Sequence, residues 1–263
     1  MFALKRVSNW GRKRMRNIKL TIEYDGRRYL GWQRLGDSEK TIQGKIEGVL
    51  EQILGEKIEI IGSGRTDSGA HARGQVANFK TASNMDLTEM QNLLNRYLPR
   101  DIIIKKIEEV HERFHARYNA EGKKYSYYIW NEVIPSAFEG YHTYYYPEQL
   151  DMDKVNAACQ RLVGTYDFIG FSSLKKSKKS TVRTVKEISV EREGSILHFT
   201  FVGDGFLYNM VRIMMGTILE IAAGKLPIET IDEVFAKKIR ANAGPTAPAL
   251  GLFLDEVYYP KNN

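Results

Sequence analysis

The chain has 263 residues, enough for one large domain or two compact ones with a core of their own. Its 43% hydrophobic and 27% charged content is ordinary for a soluble globular protein, with no apolar run long enough to span a bilayer and no signal-peptide core in the opening Phe2-Ala3-Leu4. A single cysteine, Cys159, excludes an internal disulfide and a cysteine-rich zinc site, and with the composition it points to the cytoplasm. The net charge of +7 is concentrated at the start, where Lys5, Arg6, Arg12, Lys13, Arg14, Arg16 and Lys19 meet no acidic residue before Glu23. The rest of the chain is formally neutral, so bulk charge makes no case for nucleic acid; only a local patch could.

The spacing predicts these elements in chain order. Ile18, Leu20, Ile22 and Tyr24 alternate with Lys19, Thr21 and Glu23, the period of a strand with one buried face. Ile42, Ile46, Val49, Leu50, Ile53 and Leu54 recur at helical spacing, and Gly55 stops that helix. Strands are expected at Lys57–Ile61 and Gln75–Lys80. A helix follows, opened by Asp86 and Glu89 in capping-box spacing and ended by Pro99. Ile102, Ile103 and Ile104 open another strand. The order β-α-β-β-α-β is that of a split βαβ, ferredoxin-like unit.

The second half predicts a strand at Lys123–Asn131 and a helix at Met152–Val163 closed by Gly164, in which Cys159 packs as a small hydrophobe. A hairpin about Glu193-Gly194 joins Val182–Arg192 to Ser195–Val202. A long apolar helix is expected from Phe206 to Ala223 with Asp204 as its N-cap, then a shorter one opened by Pro227, then a last strand Phe253–Tyr259. The expected fold is α+β: two ferredoxin-like halves, 16–112 and 113–263, whose antiparallel-rich sheets join, with the active-site cleft between them. The basic stretch 1–15 is expected to be disordered. Three readings of it stand open: an arm for nucleic-acid phosphates, an organellar presequence, or an inert extension.

The most informative segment is Gly64-Arg65-Thr66-Asp67-Ser68-Gly69. Its glycines permit tight turns and close approach of a ligand, and a carboxylate there can act as a nucleophile. The competing reading is an Asx-turn, in which Asp67 caps its own backbone. A phosphate loop is excluded, because Ala70 and His71 stand where Lys and Ser/Thr are required.

The longer string runs through Ala70-His71-Ala72 to Gln75-Val76-Ala77-Asn78-Phe79. With Tyr24-Asp25-Gly26, Gly31-Trp32-Gln33, Thr41-Ile42-Gln43-Gly44, Phe114-His115-Ala116-Arg117-Tyr118 and Lys124-Tyr125-Ser126-Tyr127, it resembles the tRNA pseudouridine synthase A family. Gly203-Asp204-Gly205-Phe206-Leu207-Tyr208-Asn209-Met210-Val211-Arg212 and Ala247-Pro248-Ala249-Leu250-Gly251-Leu252 extend the resemblance, which covers about Arg16 to Pro260. Ala70, Arg27 and Arg34 depart from the family's usual Val, Thr and Gln.

The resemblance implies an isomerase that turns uridines 38, 39 and 40 of the tRNA anticodon stem-loop into pseudouridine, as a homodimer and without metal or cofactor. It makes Asp67 the nucleophile, Arg212 the cation paired with it, and Tyr125 the active-site phenol. Arg65 takes the place vacated by the flipped base. Thr66, Gly69, His71 and Gln33 are implied substrate-side residues, with His71, Gln33 and Asn78 ordering the loop. An arginine on the otherwise apolar helix around Val211 and Ile213 itself suggests an anionic partner. Lys175, Lys176, Lys178 and Lys179 form either a solvated loop or a phosphate-binding one. Three rivals are weighed: a noncatalytic RNA-binding protein, which would have lost Asp67 or Tyr125; a paralogue with other target positions; and an aspartyl-nucleophile hydrolase or phosphotransferase, which would want a metal-binding acidic cluster.

Overall fold

The structure, a computed structural model, describes residues 14–36, 38, 40–175 and 179–260. The first half comprises β1 (Arg16–Tyr24), α1 (Ile42–Leu54), β2 (Ile61–Gly62), β3 (His71–Thr81), α2 (Leu87–Tyr97) and β4 (Ile102–Val110). The second comprises β5 (Gly122–Trp130), β6 (Tyr144–Tyr145), α3 (Met152–Leu162), β7 (Gly164–Asp167), β8 (Val182–Glu193), β9 (Ile196–Gly203), α4 (Met210–Ala222), α5 (Thr230–Lys237) and β10 (Leu252–Tyr258).

All strands belong to one sheet in the order β4-β1-β3-β10-β5-β9-β8-β7, with β2 on β3 and β6 on β5. Pairing is antiparallel except at β3–β10 and β5–β6. The last strand joins the halves: β10 pairs with β5 along its length and with β3 at Phe253↔His71 and Leu254↔Ala72. One face of the sheet is closed by helices, α1 against α2 and α3 against α4 and α5. Ile18, Leu20 and Ile22 of β1 and Leu197, Phe199 and Phe201 of β9 are wholly buried. No helix among the described residues is long and apolar enough to cross a membrane.

The helix limits follow from local chemistry. The Thr41 hydroxyl accepts from Gly44 N and Gly55 closes α1 in the left-handed region at φ 66°. Asp86 accepts from Thr88 N and Glu89 N at the start of α2. Every residue of α4 except Arg212 and Glu220 is buried, so this helix is core on nearly all sides.

Several expectations need correction. The strand expected at Lys57–Ile61 is reduced to Ile61–Gly62, because the backbone of Ile60 bonds to α1 side chains instead of a strand: its N–H donates to Glu47 and its carbonyl accepts from Gln43. The helix expected from Phe206 begins at Met210, since Asn209 sits at φ 60° and breaks helical continuity. Asp204 caps no helix. Its carboxylate accepts from Thr184 N and its own N–H donates to Thr184 O, which ties the end of β9 to β8. The shorter helix begins at Thr230, three residues after Pro227, and Gly164 opens a strand that the sequence pattern did not indicate. Residues 1–13, and with them most of the basic stretch, lie outside the described residues, as do Lys176 and Lys178.

Candidate active site

The segment from Ser63 to Ala70 leaves β2 and enters β3, and it is pinned almost entirely through its backbone. Ser63 N donates to Val76 O at 2.7 Å, and Gln75 Nε2 donates to Gly64 O at 3.0 Å. Trp32 N donates to Thr66 O at 3.2 Å, while the buried Thr66 hydroxyl bonds to Tyr24 Oη at 2.7 Å. Gly69 N donates to Tyr29 O at 3.3 Å, and Ala70 N closes the turn on the carbonyl of Asp67 at 3.1 Å. Gly31, at φ +96°, lets the Trp32 loop approach so closely that a Cβ there would lie 2.6 Å from Thr66 O.

With the loop held this way, the Asp67 side chain is not needed for it. Its carboxylate caps no backbone group, which removes the Asx-turn reading. Instead Oδ2 accepts from Arg212 Nη1 at 3.0 Å, with both side chains 17% exposed. Among the described residues Oδ1 accepts no hydrogen bond.

Arg212 is fixed on three sides. Its Nε donates to Ala247 O at 2.7 Å, and Nη1 also donates to Asn209 Oδ1 at 2.9 Å. Ala247 is brought there by a close crossing of chains: a Cβ on Gly216 would stand 1.8 Å from Pro245 O, so only glycine admits the 243–247 segment against α4. The Thr217 hydroxyl accepts from Gly244 N at 2.9 Å and secures the same crossing.

Tyr125 of β5 lies on the helix-covered face and is 7% exposed. Its ring meets Phe206 edge to face at 5.2 Å. Burial pushes its pKa well up, and Tyr24 and the Asp67 charge push the same way, so the phenol is neutral at ordinary pH. Its hydroxyl bonds to no described group and faces the cleft.

That cleft has a volume of about 1480 Å³ and is lined by residues of both halves, Asp67, Tyr125 and Arg212 among them. Arg65 and Gln33 are exposed on its wall, and neither side chain makes a hydrogen bond among the described residues. Lys179 lines the cleft and Lys175 is exposed outside it. His71 is buried: Gly26 N donates to its Nδ1 at 3.2 Å, Nε2 bonds to Leu250 O at 3.0 Å, and its ring stacks on Phe253 at 4.5 Å. Asn78 joins β3 to β1 and to the 111–121 connection through Asn17, Phe114 and Ala116.

Among the described residues one set of metal-type donors comes together, Asp25, His71 and His142. It is poorly suited to a cation. The Asp25 carboxylate is already gripped by the Arg27 guanidinium, and both ring nitrogens of His71 are engaged.

Some residues placed at the site escaped the sequence reading. Asn209 and the Ala247 carbonyl, which orient Arg212, lie in recognised motifs, but nothing in residue type reveals their common target. Lys123, two residues before Tyr125, also lines the cleft and was passed over.

The structure is a mainly antiparallel α+β fold in which Asp67, bound by Arg212, lies in a wide cleft. The sequence model of tRNA pseudouridine synthases matches residues 20–119 and 158–260. The tRNA pseudouridine synthase A of Acetivibrio thermocellus is 48% identical over 245 residues, 93% of this chain and all of that protein. That of Bacillus sp. strain KSM-64 is 46% identical over the same shares. A solved Cbf5–Nop10–Gar1 complex aligns over 77% of this chain and 45% of that one, at 13% identity and a TM-score of 0.36, too slight a likeness to carry argument. The chain belongs to the tRNA pseudouridine synthase family.

Proposed function

We propose that this chain isomerises uridine to pseudouridine at positions 38, 39 and 40 of the tRNA anticodon stem-loop, with Asp67 as nucleophile. The observation that carries this reading is the Asp67–Arg212 pair, in which the arginine holds one carboxylate oxygen and leaves the other uncovered toward the cleft. The reaction breaks the N1–C1′ bond, turns the uracil and rejoins it through C5. Nothing is oxidised or reduced. It needs an ionised carboxylate, a carrier for the C5 proton and limited access of water.

Arg212 sets a positive charge against one oxygen of Asp67 and leaves the other toward the cleft. This holds whether the carboxylate attacks C1′ or C6, or assists a glycal route. Tyr125, neutral and open to the cleft, stacks on the uracil and relays the C5 proton. A base-paired uridine must leave its stem to reach Asp67, and Arg65, exposed and without a partner among the described residues, fills the place it leaves.

The finer architecture belongs to the same proposal. The order β4-β1-β3-β2 in the first half parallels β10-β5-β9-β8 in the second, which supports two ferredoxin-like units sharing one sheet. A homodimer, in which one subunit holds the tRNA body and the other presents Asp67, is supported by Val133, Ile134 and Phe138. These lie largely exposed in the β5–β6 connection, Phe138 at 89%.

The test is to incubate the purified chain with unmodified tRNA transcripts and map pseudouridine by position. Product at 38–40 is expected. Binding without product would favour the noncatalytic reading, and product at other positions would favour a paralogue of different specificity.

A further inference from the structure

One cation of the cleft has no place in that chemistry. Lys123 is the second residue of β5, and the alternation of the strand puts its side chain on the same face as Tyr125. Its Nζ rests on the catalytic segment: it donates to Ser63 O at 3.3 Å, and a Cβ added to Gly64 would lie 2.2 Å from it. An ammonium has three donors, and this one gives a single long bond to a carbonyl. No carboxylate pairs with it among the described residues.

The charged neighbours explain why. The connection before β5 supplies Arg117 and Glu121, the segment beneath supplies Arg65 and Asp67, and Asp204 follows β9. Asp67 is taken by Arg212, and Asp204 accepts from Thr184 N. On β10, Glu256 stands opposite Lys124 and so on the other face of the sheet, while Val257 stands opposite Lys123. The charge that acts on Lys123 is Arg117, a second cation. Burial first and Arg117 second bring its pKa down from the usual lysine value to about 8.

A half-buried amine kept beside another cation, without an anion, is an unfavourable arrangement for the empty protein. An apolar side chain of similar length would fill the same space at lower cost. The arrangement is relieved when an anion enters the cleft, and the anion that nucleic acid brings at every nucleotide is a phosphodiester. Because Lys123 lies over Gly64, three residues from Asp67, the phosphate within its reach is next to the reacting nucleotide.

We propose that Lys123 binds a backbone phosphodiester at or beside the nucleotide presented to Asp67. The proposal rests on the reading of the cleft as a tRNA site. The sign of the pH effect follows. Below pH 8 the free amine is charged and binding takes up no proton. Above pH 8 it is neutral in the free protein and charged beside the phosphate, so tRNA affinity falls with rising pH, by about tenfold between pH 7 and pH 9.

The experiment measures tRNA affinity in the Asp67→Asn background, which prevents turnover, at several salt concentrations and between pH 7 and pH 9. Lys123→Met should weaken binding at pH 7, flatten the pH profile and lower the slope of log affinity against log salt by about 0.7–0.9, one phosphate contact. Lys123→Arg should bind normally at pH 7 and stay flat to pH 9, because a guanidinium does not titrate there. A Met variant with the parent's salt slope and pH profile would overturn the proposal. So would unchanged affinity of Lys123→Met, made in the chain that retains Asp67, with a slowed single-turnover rate, which would place Lys123 in the chemistry. If the Met variant fails to fold, the parent profile and the Arg variant decide. Failure of the tRNA reading itself looks different: the unsubstituted chain would form no pseudouridine and the Asp67→Asn chain would bind no tRNA at any pH.

Discussion

Asp67 and Arg212 meet at 3.0 Å, yet the regions that carry them are built on opposite principles. The segment 63–70 is a loop whose order comes from its main chain, bonded to Trp32, Tyr29, Gln75 and Val76, with the Asp67 side chain left out of the scaffold. Arg212 stands on a buried helix, and its guanidinium is bound to Ala247 and Asn209 as well as to Asp67. In the proposed reaction the carboxylate meets substrate through the oxygen that Arg212 leaves uncovered, and the loop does not depend on it, whereas the cation has only to stay where it is. Function on the first side and rigidity on the second can therefore be broken separately.

The largest effects come from breaking the pair itself. Asp67→Asn should leave a folded chain that binds tRNA and forms no detectable pseudouridine, with an unfolding midpoint equal to or slightly above the parent's. Arg212→Met should also abolish product, but it strands the carboxylate, the Ala247 carbonyl and Asn209, so stability should fall by about 2 kcal/mol. The double variant should lose less than the two single effects summed. Residual turnover by Asp67→Asn above a mock purification would remove it as nucleophile, and strict additivity in urea unfolding would remove the coupling.

The same contrast accounts for what could be read from the sequence. Caps and periodicity are local signals, so β1, the body and C-terminal limit of α1 and the start of α2 were legible from Ile18–Tyr24, Ile42–Gly55 and Asp86. Alternation reports which face of a strand is buried and not which strand lies beside it. The insertion of β10 between β3 and β5 was therefore invisible, although a joined sheet was expected. The strand expected at Lys57–Ile61 failed for a related reason: Ile58 and Ile60 are buried as the pattern implied, but the backbone of Ile60 found its partners on α1. Asp204 carries a cap residue's identity, and only tertiary structure decides which backbone it caps. At the site, motif resemblance marked Asp67, Tyr125 and Arg212. Lys123 stayed unnoticed because an unpaired lysine looks like a solvated one until its surroundings are known.

Tyr125 tests the rigid side more gently. Tyr125→Phe keeps the ring and its edge-to-face contact with Phe206 at 5.2 Å and removes only the hydroxyl. Single-turnover product formation should slow by about a hundredfold or more with tRNA affinity unchanged. A normal rate would take the hydroxyl out of the mechanism.

The loop side can be disturbed without touching a reacting group. Gly31→Ala puts a Cβ 2.6 Å from Thr66 O at φ +96°, so the loop must shift. We expect a cost of about 1–3 kcal/mol from the strained backbone and a turnover loss of about tenfold from displacement of Asp67. Gly194→Ala, at φ +57° in the β8–β9 hairpin with nothing within 4 Å, strains its backbone in open space and should leave turnover intact. Equal losses in both variants would mean that the approach of Trp32 to Thr66 does not position Asp67.

The last effect concerns pH and reaches stability and not turnover. His71 lies four residues after Asp67 and anchors the far end of the loop as a neutral ring, with Nδ1 accepting from Gly26 N and Nε2 donating to Leu250 O. Burial lowers its pKa from 6.5 to about 4, against the pull of the Asp25 charge. In the unfolded chain the ring binds a proton near pH 6.5, and in the folded chain only near pH 4. The contribution is therefore absent above pH 6.5 and becomes a growing penalty on the folded state as pH falls toward 4. Between pH 7 and pH 5 it amounts to about 2 kcal/mol. The shift at Asp25 is downward and acts only at lower pH, where an unfolded carboxylate would begin to protonate. Urea unfolding at pH 7 and pH 5 should show the loss in the parent chain. His71→Gln is expected to be less stable at pH 7, having lost the stack on Phe253, but much flatter between the two pH values. If it keeps the parent's acid sensitivity, the proton is going elsewhere and His71 is not the neutral anchor of this loop.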